Sequence, residues 1–185
     1  MKKLMMPIIF AFLCLNTMAK DYYETFPQNM RLKSQGLELK GTGTRVKMLM
    51  DMYTLGLYVK DVNMNASPIV SDNKASVIRL SIISRFVTPE KLIKAIQEGF
   101  ERSTLGNTEP IQAGIDIIAA LVRHNGIDKK DIFQFAYHPE TGTTVSKNGK
   151  HLANIEGYEF KKALWGVWFG SDPIDKKLKA RLFKN

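Results

Sequence analysis

Between Met30 and Lys60 the chain reads as strand: Leu37 and Leu39 alternate with polar partners, and Met52 to Val59 is rich in aromatic and branched residues. The alternation does not keep one phase. Leu37 and Leu39 share parity with Arg45, whereas Val46, Met48, Met50 and Met52 take the apolar role beyond it. The change falls near Gly41-Thr42-Gly43, where a β-bulge would exchange the two faces. Asp61 to Lys74, with Asn63, Asn65, Ser67, Pro68 and Ser71, reads as a loop with space for one helical turn. Ser76 to Ser84 (SVIRLSIIS) is apolar on both faces and predicts a central strand.

The period then lengthens. Thr88-Pro89-Glu90 supplies a cap residue, a proline at the first helical position and an acid behind it. Leu92, Ile93, Ile96 and Phe100 form one apolar face of the helix that follows. A second helix is expected from about Pro110, with Ile111, Ile115, Ile118 and Val122 spaced for burial, ending near Asn125-Gly126. Asp131 to Tyr137 returns to strand. Thr143 to Lys147 and His151 to Ile155 flank Asn148-Gly149, a strong signal for a two-residue hairpin turn. Helices are expected from about Tyr158 to Trp168 and from about Pro173 to Leu182. Strands, two helices, strands, two helices is an α+β order: a largely antiparallel sheet with helices gathered on one face.

The first residues fit neither period. Lys2 and Lys3 precede an apolar stretch from Met5 to Leu15, and Thr17-Met18-Ala19 offers the small residues of an export cleavage site. Residues 1–19 are therefore expected to be a signal peptide, cleaved after Ala19, and residues 20–185 a single domain. Cys14 is the one cysteine, so the mature chain has none and must be held by its core. No apolar run is long enough to span a bilayer. The signal has a bacterial character, which makes the periplasm the expected compartment and nucleic acid an unsuitable partner despite a net charge of +9.

Few residues suggest chemistry. Gly41-Thr42-Gly43-Thr44-Arg45 is no phosphate loop, because it leads into strand and places no helix N-terminus over an anion. Its glycines are better explained by a bulge or a close backbone approach. Arg45 offers forked donors that match a carboxylate, although a solvated or salt-bridged arginine is the commoner outcome at such a position. Tyr53 and Tyr58 are sheet aromatics with hydroxyls at a boundary. His124, His138 and His151 have no ligand spacing, so no metal is expected, and no cofactor motif is present. No histidine, acid and nucleophile combination stands out.

Taken together, the G-x-G-x-R segment at Gly41–Arg45, MYTLGLYVKD at Met52–Asp61, the amphipathic helix after Pro89 and the ending Ala163–Phe183 resemble the chalcone isomerase-like family, in its exported bacterial branch. The resemblance covers nearly all of residues 35–183. It implies an open-faced β-sandwich, a large antiparallel sheet packed against helices. The family's plant isomerases use an arginine after the paired glycines, a strand threonine, a helix tyrosine and asparagine, and a threonine near the C-terminal helix. Arg45 matches the first. The others fall on Tyr53, Lys91, Glu98 and Val167, so the resemblance does not carry the isomerase activity over. In the fatty-acid-binding branch an arginine and a tyrosine grip the ligand carboxylate, and Arg45 with Tyr53 resembles that pair.

The expectation is thus a non-catalytic periplasmic protein that binds a fatty acid or similar small amphipathic carboxylate through Arg45 and Tyr53. Two rivals come from other classes. Lys91 and Glu98, seven apart on one helix face, could act as base and acid in an isomerase or lyase. The basic terminal helix with Lys176, Lys177 and Lys179 could serve an envelope protein partner.

Overall fold

Seven strands lie side by side in chain order, each antiparallel to its neighbour, in a computed structural model that describes residues 25–183. The expected signal segment and its cleavage point after Ala19 lie outside the described residues. The strands are β1 (Asn29–Leu32), β2 (Gln35–Lys47), β3 (Met50–Val59), β4 (Ser76–Ile82), β5 (Ile132–His138), β6 (Gly142–Lys147) and β7 (Lys150–Ile155). The order needs no crossover: β1–β2, β2–β3, β5–β6 and β6–β7 are joined by short turns, whereas the β3–β4 and β4–β5 connections carry helices and return to the neighbouring antiparallel position.

The phase change read from the sequence is a real bulge. Leu39 pairs with Tyr58 and Gly41 with Leu57, so Lys40 is the extra residue. Before it, Leu37 joins Tyr58, Ala75, Val77 and Ala136 in a small cluster on one side of the sheet. After it, Gly41, Gly43 and Arg45 stand opposite Leu57, Leu55 and Tyr53, which belong to the main core on the other side. One inserted residue therefore moves Arg45 to the face that carries the helices.

Those helices are α1 (Ala66–Ser71), α2 (Pro89–Ser103), α3 (Gln112–Asn125), α4 (Tyr158–Phe169) and α5 (Lys176–Leu182). Thr88 caps α2 by accepting from the Lys91 amide, and the buried stripe is Leu92, Ile93, Ile96, Gly99 and Phe100. A 3₁₀ turn, Glu109–Ile111, leads into α3. Helix α4 lies at the centre of the helical layer and is buried almost all round, including both tryptophans. The last helix begins later than the expected Pro173. The Asp175 carboxylate accepts from the Lys177 and Leu178 amides, both at 2.9 Å, and fixes the start at Lys176.

A fully buried lysine ties this layer together. Lys161 in α4 has no exposed surface, and its ammonium donates to the carbonyls of Ile69 (2.7 Å), Val70 (3.0 Å) and Asp72 (2.7 Å). These are orphan acceptors at the end of α1, so the lysine does the work of a C-terminal cap from another helix.

Candidate ligand-binding site

Arg45 and Tyr53 are direct cross-strand partners near the turn of the β2–β3 hairpin. The guanidinium carbon lies 5.7 Å from the centroid of the Tyr53 ring, within cation–π range. Arg45 is half-buried and Tyr53 is 3 % exposed. A second register shift, between Arg45 and Val46, interrupts the ladder just beyond the pair, which then resumes with Val46 opposite Asp51 and Lys47 opposite Met50.

The glycines explain how an arginine comes to stand here. A Cβ on Gly43 would sit 2.6 Å from the Leu178 side chain, and one on Gly41 would sit 3.1 Å from the Leu182 carbonyl oxygen. Both positions are bare because α5 lies directly on β2. Beyond Gly43, toward the Asp175 cap of α5, Arg45 is the next side chain of β2 on that face. The paired glycines thus serve close approach, as expected, with the terminal helix as the approaching element.

The Tyr53 hydroxyl is oriented from the helical layer. The Trp168 indole nitrogen donates to it at 2.9 Å. Indole nitrogen can only donate, so the phenol oxygen accepts and the phenol keeps its own proton to give. Among the described residues no acceptor takes that proton. Burial raises the Tyr53 phenol above its ordinary value, against the opposing pull of the Arg45 charge. The group is a neutral donor at neutral pH, beside a permanent cation.

Both side chains open into a cavity of about 350 Å³ between the hairpin and α2. Its apolar walls include Met50, Met52, Val87 and Leu92. The methionines line the space and leave it open. Lys91 and Glu98 reach the same cavity from exposed positions on α2, so four of the five positions singled out by the family resemblance converge here. Lys91 is partly engaged, donating to the Phe86 carbonyl at 3.2 Å. The fifth, Val167, is buried and packs against Gly99. The terminal cations lie elsewhere: Lys176 and Lys177 are exposed, while Lys179 donates to the Gly170 carbonyl and Arg181 to that of Thr44.

Sequence reasoning missed Trp168. Its one available signal was chemical, since a tryptophan on a largely buried helix favours a buried acceptor for its N–H, although Trp165 on the same helix has none among the described residues. Which of the tyrosines would supply it depends on how α4 lies across the sheet.

A Cα-level resemblance and a family model bear on this geometry. The Arabidopsis thaliana fatty-acid binding protein superposes with a TM-score of 0.63 at 16 % identity, covering 85 % of this chain and 90 % of that one. At that identity the likeness concerns the fold, which is the open-faced arrangement of an antiparallel sheet and helices. No curated protein sequence matches the chain. The model described as chalcone isomerase-like matches residues 23–183, and the chain belongs to that family.

Proposed function

We propose that this protein is a non-catalytic binder of a fatty acid or similar small amphipathic carboxylate, acting in the periplasm after export. The observation that carries the reading is the pairing of Arg45 and Tyr53, both donors, at the wall of an otherwise largely apolar cavity. Arg45 supplies two charge-assisted donors and Tyr53 a third, which matches one carboxylate. Met50, Met52, Val87 and Leu92 offer the tail a place out of water, worth about 0.8 kcal/mol per buried CH₂. The volume falls within the range of small-molecule sites. The structural neighbour's description as a fatty-acid binding protein agrees with the reading.

Titration of delipidated protein with a long-chain fatty acid tests it. Arg45→Ala is expected to weaken binding about tenfold to a hundredfold, the loss of a charge-assisted pair. The reading fails if native mass spectrometry of protein drawn from the periplasm shows no bound acid and Arg45→Ala leaves the titration unchanged.

One observation favours a second reading. Lys91 and Glu98 share the cavity with Arg45 and Tyr53, so a proton donor and acceptor stand near the anchor. Chalcone turnover followed by absorbance decides it: a rate above buffer that Arg45→Ala abolishes would favour an isomerase or lyase.

A further inference from the structure

We infer that the tip of the β2–β3 hairpin is a docking element for the surface of an anionic lipid bilayer. Two hairpins of the sheet turn in two residues with both in the left-handed region. In β6–β7 these are Asn148 (φ 52°) and Gly149 (φ 78°), the residues such a turn prefers. In β2–β3 they are Met48 (φ 51°) and Leu49 (φ 62°). Large apolar residues are strained in this conformation, and here they are also in water: Met48 is 82 % and Leu49 98 % exposed. Val46, Met50 and Phe86 extend the exposed apolar surface around them. Leu105 is exposed too, but it follows the far end of α2 and stands alone.

The charges around the tip are mostly basic, with Asp51, the cross-strand partner of Val46, the acid nearest the turn. Lys47, Lys91 and Lys94 line the cavity on one side of Met48. Lys176 and Lys177 line a second hollow, of about 510 Å³, that Met48 and Leu49 also form. The acids of these two walls are Glu98 and Asp175, and the Asp175 carboxylate is already committed to capping α5. Lys176 and Lys177 occupy the first turn of α5, where the helix dipole disfavours cations. Two local rules are therefore broken side by side, by apolar residues in a polar turn and by lysines at the wrong helix end. Neither is offset by a contact within the fold, which is the pattern expected of a functional surface.

An apolar projection ringed by flexible lysines suits a bilayer interface: the tip enters among the acyl chains while ammonium groups meet phosphates. No helix among the described residues is long and apolar enough to cross a membrane, so attachment would be peripheral and reversible. The inference does not depend on what the cavity holds.

Flotation of the intact protein with vesicles tests it, comparing phosphatidylglycerol mixed into phosphatidylcholine with phosphatidylcholine alone. Binding is expected only with the anionic lipid and falls as salt rises. Leu49→Gly, which suits the turn conformation, is expected to weaken it about tenfold or more. Reversal of Lys176 and Lys177 to glutamate is expected to weaken it by at least about fivefold per lysine. Circular dichroism and thermal melting of each variant report whether the fold persists. No flotation with either vesicle overturns the inference, as does flotation that Leu49→Gly leaves unchanged. A dimer in sedimentation velocity that Leu49→Gly dissolves, or capture of a protein partner without flotation, would give the tip a protein occupant and equally overturn it.

Discussion

Trp168 donates its indole N–H to the hydroxyl of Tyr53 at 2.9 Å, joining the central helix of one layer to the strand that carries the candidate anchor. Both groups are buried. The bond fixes the direction of the phenol and decides that it presents a proton to the cavity. Tyr53→Phe is expected to cost about 1–3 kcal/mol of stability, because it leaves the indole N–H buried without an acceptor. It should also weaken carboxylate binding about fivefold to tenfold, less than Arg45→Ala, because it removes a neutral donor rather than a charged one. Chemical denaturation and ligand titration of the same preparation separate the two effects.

The paired glycines make a prediction about assembly of the site. A methyl group on Gly43 would meet Leu178, and one on Gly41 would meet backbone of Leu182, which cannot rotate away. Gly41→Ala with Gly43→Ala should therefore lift α5 from β2, at about 1–3 kcal/mol of destabilisation. Amide hydrogen exchange is expected to rise in residues 176–182 before it rises in α4, since α5 rests on the sheet through this contact.

The Met48-Leu49 turn offers the opposite case, a position where stability is available. Replacing both residues with the pair found in the other hairpin, Met48→Asn with Leu49→Gly, matches the left-handed backbone already present. A gain of about 0.5–1 kcal/mol in thermal or urea unfolding is expected. A loss instead would mean that the apolar tip packs against the fold in solution.

Much of this architecture was legible because it depends on local chemistry. The period change at Thr88, the Asn148-Gly149 turn and the order of elements each follow from residues close in sequence. The phase change near Gly41 was legible as well, yet the side on which Arg45 lies was not. A single bulged residue, Lys40, decides it, and apolar residues occupy both faces of this sheet. The same limit hid the α5 start: Pro173 and Ile174 look like a helix entry, and only the Asp175 cap places it later. The cross-strand placement of Arg45 and Tyr53 agrees with the pair the family resemblance singled out, whereas the bond from Trp168 to Tyr53 in the candidate site depends on packing between layers.

Lys161 gives the fold a distinctive pH response. Burial pushes its ammonium down to about 8, against the opposing charge of Asp72, while the unfolded chain titrates near the ordinary lysine value of about 10.4. Between those values the unfolded chain holds a proton that the folded chain has released. Stability is therefore expected to rise with pH from about 8 toward 10, and to be insensitive to this group below that window. The slope can reach about 1.4 kcal/mol per pH unit for one proton. Lys40 and Lys179 are lowered too, both chiefly by burial, and add in the same direction. Tyr53 and Tyr137 are raised by burial and act oppositely, so they erode stability above about pH 10. Lys161→Met isolates the lysine. It should lower stability at pH 7 by about 1–3 kcal/mol, since the carbonyls of Ile69, Val70 and Asp72 lose their donor. It should also flatten the rise between pH 8 and 10 relative to the wild type. Urea unfolding at a series of pH values measures both, and an undiminished rise in the variant would assign it to other groups.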